Sequence, residues 1–118
     1  MTIEELGGST FEVNDIGVSG YYRLIIEMEN IISKNPDVII VGAGREGTLP
    51  TVISSLTDCP VIGLPTSSGY GIGKNGISSL LSMLQSCSIL SVVNIDAGFI
   101  AGCNAIKISR KISIAKKK

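Results

Sequence analysis

The sequence contains no histidine and no tryptophan among its 118 residues. Without histidine, a zinc ion held by imidazole, a Ser-His-Asp triad and a Cys-His pair are all excluded within this chain. The side chains available for catalysis are carboxylates, Lys74, Arg23 and the thiols of Cys59, Cys87 and Cys103. The three cysteines form no Cys-x-x-Cys pair and are odd in number, so we expect free thiols rather than a disulfide framework or a zinc cluster.

Long apolar runs and an excess of one charge are also absent. No segment approaches the roughly 20 consecutive apolar residues of a membrane-spanning helix, and the N-terminus lacks the basic and apolar regions of a secretory signal. Ten basic residues balance ten acidic ones, which gives no reason to expect a nucleic acid or a membrane as a partner. We therefore expect one cytoplasmic domain over residues 1–118, with residues 111–118 as a solvated, frayed basic tail.

Apolar periodicity predicts alternating strands and helices. Strands are predicted for residues 10–14, 38–41, 61–64 and 90–95, and helices for residues 19–33, 49–56, 77–87 and 98–110. Ser19 is the expected N-cap of the first helix, and Asn35-Pro36 ends it. Short connections between alternating elements are typical of a parallel sheet covered by helices on both faces, so the predicted fold is a three-layer α/β sandwich. Residues 1–6 resemble the end of a helix, so we expect the sheet to lack its first strand.

Two glycine-rich loops directly follow predicted strands. The first glycine loop comprises residues 41–47, and the second comprises residues 65–71. Since the carboxyl ends of parallel strands share one edge of a sheet, we expect the backbone amides of both loops to form an anion- or nucleotide-binding crevice. Residues 42–47 match G-x-G-x-x-G, but no acid follows the next strand, which argues against an ordinary dinucleotide-binding Rossmann site. A pair of tight turns without a ligand is the alternative.

Several side chains near these loops have more than one interpretation. Glu46 lies within the first glycine loop and is either an active-site carboxylate or a first-turn residue that balances a helix dipole. Arg23 either contacts a ligand or is simply solvated. Cys87 ends a predicted helix, where the helix dipole does not favour a thiolate, so the residues alone favour a structural thiol there. Cys59 and Cys103 are likewise expected to be small buried apolar groups.

Five spaced motifs resemble those of the PurE-like carboxylase domain, which two families share. They are Asp15-Ile16-Gly17-Val18-Ser19-Gly20 with Arg23-Leu24, Glu46-Gly47-Thr48-Leu49-Pro50, Pro65-Thr66-Ser67-Ser68-Gly69-Tyr70-Gly71, Met83-Leu84-Gln85-Ser86-Cys87, and Val92-Val93-Asn94-Ile95-Asp96-Ala97-Gly98-Phe99. The sequence is more similar to LarB-type pyridinium-3,5-biscarboxylic acid mononucleotide synthases, which make the precursor of the nickel-pincer cofactor. The glycine loop and residues 60–65 also resemble phosphoribosylaminoimidazole carboxylases. The resemblance extends from Glu4 to about Arg110 and implies a PurE-like, flavodoxin-like fold.

The LarB-type resemblance implies a reaction and a set of residues. The thiol of Cys87 would add to the nicotinate ring of nicotinic acid adenine dinucleotide, after which a ring carbon would attack CO2 as the co-substrate. Glu46 would transfer a proton, and Arg23 would contact the substrate. Cleavage of the phosphoanhydride with release of AMP is also implied, aided by a divalent cation such as Mg²⁺, for which Asp15 and Asp96 are candidate ligands. No organic cofactor is expected, and the family resemblance implies a homo-octamer.

The small-molecule substrate, a nucleotide or dinucleotide, would lie against the two glycine loops. The expected contact residues are Gly42, Ala43, Gly44, Gly47, Thr66, Ser67, Ser68, Gly69 and Tyr70. Cys87 is expected to line the crevice beside Glu46. Because a helix leaving the second loop runs away from this sheet edge, this placement requires that the helix bend back or that a neighbouring subunit supply the thiol.

Two other functions stay open. The PurE-type resemblance implies an aminoimidazole ribonucleotide carboxylase or mutase of purine synthesis, although that family uses an active-site histidine. The second alternative is a catalytically silent domain that binds nucleotides or forms oligomers. LarB-type proteins are roughly twice as long and place a strand and a Gly-Thr-Ser-Asp loop before this region. We expect the chain to assemble with further copies, since a missing strand would expose apolar surface.

Overall fold

A computed structural model of the chain describes residues 7–14, 16–68 and 71–117, without the side chains of residues 72–74. The four α-helices in these ranges are α1 (Tyr21–Ser33), α2 (Leu49–Ser55), α3 (Ile77–Leu84) and α4 (Gly98–Lys116). The three strands are β1 (Ile39–Ala43), β2 (Val61–Pro65) and β3 (Ser91–Val92), and 3-10 helices cover Val18–Gly20 and Gly71–Gly76. None of these helices is long and apolar enough to cross a membrane.

The sheet is parallel, with the strands in the order β1-β2-β3. Ile39 lies opposite Val61 at one end of the first pair, and Ala43 lies opposite Pro65 at the other. All three strands therefore end at the same edge of the sheet, as expected for strands joined by helical crossovers.

Apolar side chains cover both faces of the sheet. On one face, Leu24 and Met28 of α1 pack with Ile53 of α2 and with Val41 and Val61 of the strands. On the other face, Ile62 packs with Ala101 and Ala105 of α4. Because side chains alternate between the two faces of a strand, neighbouring residues of β2 enter different layers. The structure thus confirms the three-layer α/β sandwich with a parallel sheet.

The strand predicted for residues 10–14 is wrong, since residues 7–14 have no regular secondary structure. Phe11 is about half exposed, and the ammonium group of Lys34 lies 4.9 Å from its ring centroid. A strand needs a neighbouring strand to form a sheet, and none is described beside this segment, so the alternation of two apolar residues alone is not sufficient. The prediction for residues 1–6 lies outside the described residues.

Two further local predictions need correction. Ser19 lies inside the 3-10 helix, and α1 has Gly20 at its N-cap position without a side-chain hydrogen bond. Strand β3 contains two residues rather than the predicted six. It ends early because the chain turns at Asn94, whose side-chain oxygen Oδ1 accepts a hydrogen bond from the Ile95 N–H at 2.7 Å, and at Asp96, which has a left-handed φ of 57°.

Helix α4 continues through Lys116 instead of ending near Arg110, so most of the predicted frayed tail is helical. No proline or glycine interrupts residues 103–117, and the far end of the helix is attached to the loop before β1. The Ser109 hydroxyl donates a 2.7 Å hydrogen bond to Asp37, and the Lys116 ammonium lies 3.8 Å from the same carboxylate. These contacts hold a segment that composition alone describes as solvated.

Candidate functional site

The loops that follow the three strands contact one another through backbone hydrogen bonds. The Thr66 N–H donates to the Ala43 carbonyl oxygen at 3.0 Å, which joins the first loop to the second. The Asp96 N–H donates to the Pro65 carbonyl oxygen at 2.8 Å, which joins the second loop to the turn after β3. The predicted convergence of both glycine loops at one edge of the sheet is therefore confirmed.

The first glycine loop is a tight turn that only glycine fits at two positions. The Gly47 N–H bonds to the Gly44 carbonyl oxygen at 2.9 Å. A Cβ added to Gly44 would lie 2.3 Å from the Ser68 carbonyl oxygen, and one added to Gly47 would lie 2.7 Å from the backbone of Ser79. Gly47 also has a φ of 64°. The glycines thus allow the loop to pack directly against the second loop and α3.

A cavity of about 280 Å³, here called the crevice, opens beside the first glycine loop. One wall is formed by the segment before α1 and the other by the loop between β1 and α2. The lining residues are Ile16, Gly17, Val18, Ser19, Gly42, Ala43, Gly44, Arg45, Glu46, Thr48 and Leu49. Glu46 is exposed and is the one carboxylate among the described residues that line the crevice. The crevice therefore combines loop backbone with one acidic and one basic residue, Glu46 and Arg45.

The second glycine loop is held by a carboxylate and by its own hydroxyl groups. Thr66 and Ser68 share a 2.8 Å hydrogen bond between their side-chain oxygens. The Ser67 N–H donates to Oδ1 of Asp96 at 2.9 Å, and hydrogen bonding by Ser67 lowers the pKa of the Asp96 carboxyl group below its usual value. Asp96 therefore orders this loop. The predicted contact residues Gly69 and Tyr70 lie outside the described residues.

A protein-held metal ion does not fit the described residues. Asp96 already accepts the Ser67 amide, and Asp15 lies outside the described residues. No three His, Cys, Asp or Glu side chains in the described ranges come together as a set of ligands. A site for a divalent cation normally requires several oxygen ligands around one point, so a cation would need donors beyond the described residues.

Cys87 and Arg23 lie outside the described lining of the crevice. The Ser86 hydroxyl shares a 2.7 Å hydrogen bond with the Thr51 hydroxyl in the first turn of α2, and the Ser54 hydroxyl donates to the Ile89 carbonyl oxygen. Cys87 is therefore held alongside α2, and its side chain is exposed. The sequence-based expectation of a structural, core thiol at this position is wrong. Arg23 is exposed in the first turn of α1.

The other two thiols are partly buried. Cys59 lies 3.3 Å from the Pro36 carbonyl oxygen, and burial, reinforced by the negative charge of Asp37, raises the pKa of its thiol. It lines a second cavity, of about 610 Å³, between the C-terminal ends of α1 and α2. Cys103 lies in α4. Of the three thiols, Cys87 is the exposed one.

Sequence reasoning missed Ser79, which anchors the first glycine loop from α3. Its side chain is fully buried, and its hydroxyl donates a 2.6 Å hydrogen bond to the Ala43 carbonyl oxygen. In sequence it is one of several serines among apolar residues of a helix, so no local pattern distinguishes it. Only its position against the loop reveals its role.

The chain belongs to the AIR carboxylase family, whose model matches residues 10–117. It is 46% identical over 110 residues to an uncharacterized protein of Methanocaldococcus jannaschii, a match that covers 92% of this chain and 42% of that protein. It is 35% identical over 110 residues to the N5-carboxyaminoimidazole ribonucleotide mutase of Pseudomonas aeruginosa, covering 92% of this chain and 66% of the mutase. Against the mutase of Thermotoga maritima it is 30% identical, covering 81% of this chain and 60% of that enzyme. The chain thus spans less than two thirds of each of these three relatives.

Proposed function

We propose that this chain is the catalytic part of a carboxylase that acts on nicotinic acid adenine dinucleotide. It would add CO2 to the nicotinate ring and hydrolyse the phosphoanhydride with release of AMP. The observation that carries the proposal is the complete absence of histidine from a domain of the AIR carboxylase family. A carboxylation that depends on an active-site imidazole has no such group in these 118 residues, whereas a thiol-dependent route has an exposed cysteine at position 87.

The chemistry of a pyridinium ring suits a thiolate. The sulfur of Cys87 forms a bond to an electron-poor ring carbon, and the ring becomes a neutral enamine. A neighbouring carbon of the enamine then attacks the carbon of CO2 and forms a carbon–carbon bond. Loss of the proton from that carbon and expulsion of the thiolate restore the aromatic ring. The net change replaces one ring hydrogen by a carboxylate and releases one proton.

Glu46 is the candidate base for that proton. It is the described carboxylate of the crevice wall, and it lies in a loop whose geometry is fixed by the contacts of Gly44 and Gly47. A general base must come within hydrogen-bond reach of the proton that it removes. The backbone amides of the same loop and the exposed guanidinium of Arg23 are candidate partners for the phosphates and carboxylate of the substrate.

The position of Cys87 determines how the site would be assembled. Its thiol is held beside α2 and does not line the crevice of its own chain. We infer that a neighbouring copy supplies the thiol to the crevice that contains Glu46. An apolar surface around this thiol would suit such a contact, since Leu81, Leu84 and Ile89 are all exposed.

The test is incubation of the purified protein with nicotinic acid adenine dinucleotide, Mg²⁺ and ¹³C-bicarbonate, followed by mass spectrometry of the products. We expect a labelled carboxylate on the nicotinate mononucleotide and an equal amount of AMP. Cys87→Ser and Glu46→Gln should each abolish the labelled product, whereas Cys103→Ser is the matched control that should retain it. Binding of the dinucleotide without turnover would support the silent alternative and contradict the proposal.

Mixing variants tests whether two copies form each site. Cys87→Ser chains retain Glu46, and Glu46→Gln chains retain the thiol. If the two residues meet between copies, mixed assemblies contain some intact sites and should recover part of the activity that neither variant has alone. If the wild-type protein is active but the mixture stays inactive after exchange of subunits, the thiol acts within its own chain.

The second candidate function is that of an N5-carboxyaminoimidazole ribonucleotide mutase, because two of the compared relatives carry that name. The same protein preparation should therefore be incubated with N5-carboxyaminoimidazole ribonucleotide and with aminoimidazole ribonucleotide plus bicarbonate. Formation of 4-carboxyaminoimidazole ribonucleotide, together with no change in the nicotinic acid dinucleotide, would favour this function over the first.

A further inference from the structure

Two hydroxyl groups of α2 hold the segment that carries Cys87, one on each side of the thiol. The Thr51 hydroxyl shares a 2.7 Å hydrogen bond with the hydroxyl of Ser86, directly before Cys87. The Ser54 hydroxyl donates to the carbonyl oxygen of Ile89, two residues after it. Thr51 and Ser54 are three residues apart in a helix and therefore lie on the same face of α2. The residues of each pair are 35 positions apart in the sequence, so both contacts are tertiary.

The Ser86 hydroxyl also closes a tight turn around Cys87. Its oxygen accepts the Ser88 N–H at 3.1 Å, a bond from a side chain to the backbone two residues on that is typical of serine in turns. Ser86 and Ser88 are partly buried, whereas Cys87 between them is exposed. The turn thus directs the two serines towards the protein and the cysteine away from it.

The orientation of the Cys87 thiol depends on this turn. Within the described part of the chain, the sulfur has no hydrogen-bond partner of its own, and helix α3 ends at Leu84, before the turn. A nucleophile reacts fast only when its reacting atom is held close to the geometry of attack, and a loop achieves this when a rigid element supports it. The Thr51–Ser86 hydrogen bond is the contact that attaches the turn to such an element, α2.

We propose that Thr51 and Ser86 are positioning residues for the nucleophilic thiol of Cys87. This role rests on the proposed function, in which the sulfur adds to the nicotinate ring. The hydroxyl pair fixes the turn against the first turn of α2, so the sulfur is already in place when the substrate binds. Neither Thr51 nor Ser86 belongs to the described lining of the crevice, so we expect an effect on the rate of reaction and not on substrate binding.

The experiment compares Thr51→Val with Thr51→Ser in the carboxylation assay. Valine keeps the branching and nearly the size of threonine but removes the hydroxyl group, whereas serine keeps the hydroxyl. We expect Thr51→Val to lower kcat by about 10- to 100-fold, because a small misplacement of a reacting atom is costly. The KM for the dinucleotide should stay near the wild-type value. Thr51→Ser should retain most of the wild-type kcat.

Hydrogen exchange at the Ser88 amide measures the turn without any substrate. This N–H bonds to the Ser86 hydroxyl, so its exchange should become faster in Thr51→Val and in Ser86→Ala and should stay slow in Thr51→Ser. Ser55→Ala is the matched control, because the Ser55 hydroxyl donates within α2 itself, to the Val52 carbonyl oxygen. This control should change neither kcat nor the exchange of the Ser88 amide.

The two measurements distinguish failure of the positioning role from failure of the proposed function. If the wild type carboxylates the dinucleotide and Thr51→Val either keeps the wild-type kcat or changes KM alone, the positioning role is wrong and the proposed function stands. If the wild type forms no labelled product, the proposed function fails and the Ser88 exchange decides. Faster exchange in Thr51→Val then supports the fixed turn, and equal exchange overturns it. Should Thr51→Val fail to fold, Ser86→Ala removes the same hydrogen bond from its other side.

Discussion

The hydroxyl group of Ser79 donates a 2.6 Å hydrogen bond to the carbonyl oxygen of Ala43, the last residue of β1. The same carbonyl oxygen also accepts the N–H of Thr66. A single backbone oxygen thus connects the end of β1, the second glycine loop and the first turn of α3. The geometry of the crevice rests on this connection.

Ser79→Ala should destabilise the protein by about 0.5–1.5 kcal/mol, because it removes the hydrogen bond of a fully buried side chain while the Ala43 oxygen keeps the Thr66 N–H. The change should appear as a lower midpoint of urea denaturation with an unchanged slope. Ser82→Ala in the same helix is the control, since Ser82 is only partly buried. Equal stability of the two variants would show that the Ala43 contact contributes nothing.

Gly44→Ala should destabilise the protein and separate the two glycine loops. The new Cβ would lie 2.3 Å from the Ser68 carbonyl oxygen, a distance that backbone atoms must move to relieve. Overpacking of this kind typically costs about 1–3 kcal/mol. Gly42→Ala, with 3.8 Å of clearance, should cost much less. Thermal unfolding of both variants provides the measurement, and a wild-type midpoint for Gly44→Ala would contradict the described loop contact.

Asp96→Asn should remove part of the pH dependence of stability. Hydrogen bonding from Ser67 lowers the pKa of Asp96 in the folded protein below the reference value of 3.8. The carboxylate therefore contributes stability that is fully present above its unfolded pKa and is lost as the pH falls through the lower, folded pKa. Asparagine tolerates the left-handed backbone of this position.

Urea unfolding of wild type and Asp96→Asn at several pH values tests this linkage. Wild type should be the more stable protein at neutral pH, and the difference should shrink as the pH falls below about 4, the ordinary range of an aspartate. A difference that stays constant down to the lowest pH would mean that the charge of Asp96 is not what orders the second loop.

Cys87 should react with iodoacetamide much faster than Cys59 at mildly alkaline pH. Cys87 is exposed, whereas burial, and secondarily the charge of Asp37, raises the pKa of the Cys59 thiol and reduces its reactive thiolate. Peptide mass spectrometry at successive times measures each rate. In urea the two rates should converge. Comparable rates in the folded protein would show that Cys59 is accessible.

Asp37→Asn separates the two causes that raise the pKa of the Cys59 thiol. Because burial is the larger cause, removing the charge should raise the alkylation rate of Cys59 only slightly. The same substitution weakens the contacts of Asp37 with Ser109 and Lys116, so hydrogen exchange near the end of α4 should increase. A rate equal to that of Cys87 would mean that the charge dominates.

Local patterns in the sequence were sufficient for the core of the fold. The apolar runs that became β1 and β2, and the helical spacing of Leu24, Met28 and Ile31, each depend on neighbours close in sequence. The two glycine loops were also predictable from local sequence, because a turn after a buried strand requires residues that tolerate unusual backbone angles. Their meeting at one edge follows from parallel strand order alone.

The sequence by itself determined the class of fold, the glycine loops and the exclusion of histidine chemistry, because composition and short-range periodicity specify these directly. Only the tertiary structure decided that residues 10–14 form no strand, that α4 runs to Lys116 and that Ser79 supports the first loop. Each of these depends on a partner far along the chain, such as Asp37 for Ser109. For Cys87, the surrounding motif is visible in the sequence. Its exposed position beside α2 depends on the tertiary contact between Ser86 and Thr51, which lie in distant segments.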